Sequence, residues 1–307
     1  MRIPWGETLP LPLLDRNSID MNPCFLRRLS CVVALCVVSP LGVVSPLAVY
    51  AEPVLYLADG NSSSLWTVNT TTGNATRVGS LGLTPSLIGL AYDSVDGNLL
   101  MTSSNGVNSQ LFRVNQSTGQ ASLVGDTGFQ AISGLAFDPN SKVLYGGSGA
   151  TDSLFTIDRT TGAATPVGAY GVNVGGHGLG YDDQNQQLWM TDGFLDTLYS
   201  VNTSTGAATA IGSTGLTSVA ALAFHSGENR LYGINTNDDT LVRLNRSTGV
   251  GEVVGDLGFD AFNVGLAFRP AAIPEPSSSI LLLLITCFLV MRTRRRRGSF
   301  AQCLTFP

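Results

Sequence analysis

Between residues 54 and 268 the chain alternates short apolar phrases with Gly, Asn and Asp, and four such phrases recur in a fixed order. Gly-Leu-Ala-Phe/Tyr-Asp begins at Gly89 and Gly134, returns as Gly-Leu-Gly-Tyr-Asp at Gly178, and has degenerate copies at Ala221 and Gly265, spaced by 45, 44, 43 and 44 residues. A second phrase opens at Leu55, Leu99, Leu144, Leu188 and Leu231, and a third at Leu65, Leu111, Leu154, Leu198 and Leu241. The third reads Leu-Trp-Thr-Val-Asn in its first copy and runs on to a Thr-Gly at Gly73, Gly119, Gly162, Gly206 or Gly249. A fourth phrase closes each unit with Val/Ile-Gly at Gly79, Gly125, Gly168, Gly212 and Gly255.

Each phrase is rich in aliphatic, β-branched or aromatic side chains, and turn-forming residues fill the gaps, so each reads as one short strand. The Asn-x-Ser/Thr-Thr-Gly that follows the third phrase reads as a tight hairpin: Asn and Thr bond the turn backbone and Gly takes a positive φ. The same reading covers most of the Asn-x-Ser/Thr sequons. Four strands in about 44 residues is the size of one propeller blade. The sequence therefore predicts an all-β, five-bladed β-propeller over residues 52–270, with the first phrase innermost. The region starts with three strands and ends with a lone first-type strand, Val264 to Phe268, so the two ends are expected to complete one blade together, three strands plus one. That closure leaves no strand edge open at the join. The repeats resemble the NHL-like and quinoprotein-like propellers, a likeness that implies fold and not activity.

The ends of the chain have a different pattern. Arg27 and Arg28 precede an apolar stretch that closes on Val49-Tyr50-Ala51, the charge, apolar run and small-residue cleavage site of a secretory signal peptide. Residues 1–51 are read as prefix and signal helix, with Met21 as an alternative start and cleavage after Ala51. Beyond the repeats, residues 271–279 form a linker carrying Pro274-Glu275-Pro276; residues 280–291 are an apolar run, and residues 292–307 an Arg-rich tail. Twelve apolar residues rise only about 18 Å as a helix, a thin transmembrane span whose arginines would stay in the cytoplasm. This tripartite ending resembles the PEP-CTERM sorting signal, with an extra stretch Gly298–Pro307 past the arginines. The resemblance implies signal peptidase and an exosortase-type enzyme as processing partners, a transient inner-membrane anchor, and a destination at the cell surface or in an exopolysaccharide matrix.

Charge sharpens the picture of the middle. Residues 52–273 hold 18 Asp and Glu against 8 Lys and Arg, which argues against nucleic acid as a partner. All five cysteines fall outside that span, so the repeats contain no disulfide, thiolate metal site or Cys nucleophile.

Residues that break the repeat are the candidate chemistry. His177 stands where other copies have Ile88, Ser133, Ala220 and Val264, at the entrance to the innermost strand. Asp59, Asp192, Asp196, Asp238 and Asp239 fall between the second and third strands and could form an acidic binding face, with a Ca²⁺ site as one reading and a solvated acidic rim as the other. Phe194 is either a stacking surface for sugars or part of the blade packing. His225 takes the slot held by Asp93, Asp138 and Asp182 and reads as loop. The repeat-locked Asp and Asn residues read as turn chemistry.

With only two His in the chain and Glu nearly absent from the ring, the sequence carries no axial carboxylate pair and no nucleophile or phosphate motif. The expectation is a non-enzymatic, exported propeller that scaffolds or binds polysaccharide or a surface protein, with no cofactor. The alternative is a secreted enzyme acting on glycans or lactones, whose turnover would depend on Asp192 or His177.

Overall fold

The structure is a computed structural model that describes residues 52–175 and 177–271. The predicted signal helix, the Pro274–Pro276 motif and the short apolar helix lie outside the described residues.

Among the described residues, twenty strands form five four-stranded antiparallel sheets. Blade 2 holds β4 (Gly89–Asp93), β5 (Asn98–Ser104), β6 (Ser109–Val114) and β7 (Ala121–Asp126). Blade 3 holds β8 (Ile132–Asp138), β9 (Val143–Ser148), β10 (Ser153–Ile157) and β11 (Ala164–Ala169). Blade 4 is β12 (His177–Asp182), β13 (Gln187–Asp192), β14 (Thr197–Val201) and β15 (Ala208–Ser213), and blade 5 is β16 (Val219–His225), β17 (Arg230–Asn235), β18 (Thr240–Leu244) and β19 (Gly251–Asp256). Blade 1 joins β1 (Val54–Asp59), β2 (Ser64–Val68) and β3 (Ala75–Ser80) to β20 (Val264–Arg269), in the order β20-β1-β2-β3. Leu55 pairs with Phe268 and Leu57 with Leu266, so the ring closes by the expected three-plus-one pairing.

The apolar phrases are continuous rather than alternating because both faces of each blade are buried. Leu55 and Leu57 pack into a core shared with blade 5, through Ala223 and Ile234, while Tyr56 and Ala58 between them pack into a core shared with blade 2, through Leu90 and Met101. Five such cores lie between successive blades. Each fully buried Leu contributes roughly 1.5–3 kcal/mol.

The fourth phrase does more than end a strand. At the same place in every blade the register between third and fourth strands slips, between Leu65 and Trp66 in blade 1 and Leu241 and Val242 in blade 5. The slip leaves Val78 and its counterparts Val124, Val167, Ile211 and Val254 bulged and partly buried in the inter-blade cores. The glycine after the bulge then meets the Thr-Gly turn of the next blade: Gly79 against Thr118, Gly125 against Thr161, and so on round to Gly255 against Thr72. A Cβ on any of these glycines would overlap that turn's carbonyl. A backbone hydrogen bond accompanies each contact; Ala121 N donates to Leu81 O at 3.0 Å, and Ala75 N to Leu257 O at 3.1 Å across the closing seam.

Candidate functional site

Antiparallel order places the loops that enter the innermost strands, together with those between second and third strands, on one face; the remaining turns lie on the other. Between them the axis is filled. A cavity of about 60 Å³ at the turn face is ringed by Tyr92, Phe137, Tyr181, Phe224 and Phe268, one from each blade, and narrows further towards the loop face. Waters fit there; a sugar ring does not.

On the loop face, most of the acidic side chains are engaged with backbone. Asp59 is fully buried: Oδ1 accepts from Phe262 N at 2.9 Å and Oδ2 from Ser62 N at 2.6 Å. Asp192 is likewise buried, and its Oδ1 accepts from Phe194 N and Gly175 N. Asp196 and Asp239 accept from Ser218 N and Ala261 N. Asp152, which sequence reasoning passed over, accepts from Val174 N in the same position. These three share a positive φ of 47–54° and recur at the repeat spacing, so they are clamps between neighbouring loops rather than breaks in the pattern. Asp238 alone of the five predicted aspartates is exposed, held by Asn235 and Asn237 side chains. Among the described residues no group of three or more His, Cys, Asp or Glu is placed to hold a metal ion.

His177 is buried beneath this face, 1% exposed, with its ring edge-on to Tyr170. Nδ1 donates to Gly175 O at 2.9 Å, which leaves Nε2 unprotonated. Burial pushes the imidazole pKa below its ordinary value, against smaller opposing effects from Gly175 and Asp192. His177 Nε2, Tyr170 Oη and Asp192 Oδ2 are all buried without a hydrogen-bond partner. Neither His177 nor Asp192 can touch a solute on this face.

Phe194, like Asp238, is a predicted residue that reaches solvent, and it is 79% exposed. Its Cδ2–Cε2 edge lies against Gly175, where an added Cβ would overlap it, and most of the side chain is open to solvent. Trp189, its neighbour in sequence, packs instead into the core between blades 4 and 5. Phe262 (61% exposed), Leu195 and Val107 are exposed on the same face.

On the turn face the repeat-locked residues make the turns as read. Asn69 Oδ1 accepts from Thr71 N and Thr72 N, and Asp158 Oδ1 accepts from the Thr160 hydroxyl and from Thr160 N and Thr161 N, which lowers its pKa to about 2. The residue after each Asn or Asp reaches back towards the preceding blade. Arg159 bonds Asp93 and Asp96, Arg246 bonds Asp182, and Arg269 donates to Gln116 Oε1 at 3.0 Å. Where blade 1 meets blade 5 the equivalent residue is Thr70, within 3.4 Å of Glu228 Oε1.

Sequence reasoning missed that last seam as a site. His225 is buried and stacked on Phe268 at 3.8 Å; its Nδ1 accepts from Glu228 N at 3.0 Å, so Nε2 carries the proton and faces Glu228 Oε1 at 3.4 Å. Burial lowers the His225 pKa, with Glu228 opposing. Tyr232 Oη donates to Glu228 Oε2 at 2.6 Å, and burial together with that bond raises the phenol to about 12. The one available signal was His225 in an Asp slot.

No family model matches the chain, and no curated protein is detectably similar to it. Solved structures do resemble it. A chain of the nidogen/laminin complex superposes with a TM-score of 0.50 at 12% identity, covering 71% of this chain and 98% of that one. A Bacteroides thetaiotaomicron protein of unknown function matches at TM-score 0.47 and 14% identity, over 67% of this chain and 58% of its own. TolB from Acinetobacter baumannii matches at 0.44 and 12%, over 68% and 54%. At these identities the likeness is one of fold.

Proposed function

We propose that this chain is a non-enzymatic propeller, exported and sorted by an exosortase-type system to the cell surface or extracellular matrix, where its loop face binds polysaccharide or a surface protein. The observation that carries the binding part is Phe194: an aromatic ring packed against a glycine and largely open to solvent offers surface for stacking a sugar ring or an apolar side chain. Sorting is supported by Pro274-Glu275-Pro276, the apolar run and the arginines, in that order. Val54 pairs with Arg269, so the chain enters and leaves the ring at the turn face, and a tail anchored in a membrane would leave the loop face pointing outward.

The test is expression of the full chain in an exosortase-bearing bacterium, with Phe194→Ala and a deletion of residues 273–297. Loss of the protein from the surface on deletion, and at least tenfold weaker retention of polysaccharide or surface protein by Phe194→Ala, are expected. Cytoplasmic retention of the intact chain would overturn the export part, and unchanged retention by Phe194→Ala the binding part.

A further inference from the structure

The seam between blades 5 and 1 holds an open groove of about 430 Å³, within the range of small-molecule sites. One wall is blade 1, with Thr67, Thr70, Asn74 and Phe268; the other presents His225 and Glu228 from blade 5. Two other seams are bridged by arginine where this one is not. Arg159 and Arg246 span the corresponding seams of blades 3 and 5, each stacking on its own blade's aromatic (Phe137 or Phe224) and ending on a buried aspartate. Blades 2 and 4 carry Gln116 and Thr203 at that position and blade 1 carries Thr70, whose short side chain reaches Glu228 only by a single long contact.

The lining specifies a ligand class. Glu228 is the only charged side chain among the residues lining the groove, since His225 is neutral with its proton on Nε2. Tyr232 Oη and the His225 ring hold the carboxylate, Arg230 Nε lies 3.9 Å from Oε2 outside the lining, and the Glu228 side chain remains 39% exposed. A fixed carboxylate accepts from vicinal hydroxyls, the Thr hydroxyls and Asn74 amide both donate and accept, and Phe268 supplies an apolar edge. An anionic ligand would face Glu228 with no cation in the lining to offset it.

We infer that the groove between blades 5 and 1 is a binding site for neutral sugar units of a polysaccharide, with Glu228 as the hydroxyl acceptor. The inference rests on the binding-module reading and gives that module a second contact besides Phe194.

The experiment measures binding of cellohexaose, maltohexaose and a hexauronate to the full-length protein in detergent, and to its Thr70→Arg, Glu228→Gln and Phe194→Ala variants, alongside melting temperatures. Arginine at position 70 refills the groove and pairs with Glu228 as Arg246 pairs with Asp182. At least one neutral hexasaccharide is expected to bind more tightly than the hexauronate. Thr70→Arg should weaken that binding at least tenfold with an unchanged or higher melting temperature, and Glu228→Gln several-fold. Undiminished binding by Thr70→Arg and Glu228→Gln together with a loss in Phe194→Ala would overturn the groove site and leave the loop-face reading standing. Preference for the hexauronate would overturn the ligand class. Binding of no probe by the wild type would overturn both the groove and the polysaccharide reading, and a protein ligand for the loop face would then remain.

Discussion

Gly255 of the last blade rests against the turn formed by Thr72 and Gly73 of the first, so two residues 182 positions apart in sequence meet as next-blade neighbours. The same contact recurs at all five seams, and it explains why both Val/Ile-Gly and Thr-Gly persist through every repeat. Neither glycine tolerates a side chain: Gly73 has φ +81° and lies against Gly255 backbone, and Gly255 lies against the Thr72 carbonyl.

Gly255→Ala is therefore expected to destabilise the protein by about 1–3 kcal/mol through overpacking at the join. Gly227→Ala, where an added Cβ finds ordinary contact distance, should change stability far less. Denaturant midpoints of the two variants check this; equal midpoints would remove the argument.

Arg246 and Asp182 are expected to behave as a unit. Asp182 is fully buried, and removing Arg246 leaves its charge uncompensated, so Arg246→Ala should cost on the order of 3 kcal/mol. Adding Asp182→Asn should recover part of that loss, giving a double-mutant cycle with clear non-additivity. Additive losses would mean that the two residues act separately.

The loop-face aspartates should divide by role. Asp196→Ala strips the acceptor from Ser218 N, at an expected cost of about 1–3 kcal/mol. Exposed Asp238→Ala should fall within about 0.5 kcal/mol of the parent. Thermal unfolding of both variants separates a set of clamps from a solvated rim.

The two histidines set an acid limb. Both have pKa values lowered by burial, so the unfolded chain takes up protons at a higher pH than the folded one. Their stabilisation is present above the ordinary His pKa of about 6.5 and is lost as pH falls from there towards the folded values, by about 1 kcal/mol per pH unit for each group. Melting temperature should stay flat from pH 8 to 7 and fall below 6.5, and His177→Ser, the residue type of Ser133, should make the decline shallower. The Asp152 and Asp192 carboxylates near His177 oppose the burial effect without reversing it.

Much of the fold was legible because the repeat is written in local chemistry. The turn roles of Asn69 and Asp158 need only residues two or three positions away, and the pairing of Leu55 with Phe268 followed from counting strands at each end. The exposure of the aspartates was not legible. Asp59 looks like a loop residue, yet its acceptor role depends on Phe262, which is 203 positions distant. The groove was still less accessible to sequence reading: Thr70 stands where blades 3 and 5 carry Arg159 and Arg246, and the groove's carboxylate comes from a turn 158 residues further on. Phe194 was flagged by its type, and only its exposure in the fold distinguishes an open aromatic from core packing.

Because Val54 and Arg269 face each other as the terminal rung of one antiparallel pair, tension applied between the two ends would load that ladder from its end, breaking its rungs in succession instead of shearing them all at once. The ring would yield first by peeling its own last strand. Under traction it should open at the seam next to His225 and Glu228, while the other four blades keep their strands.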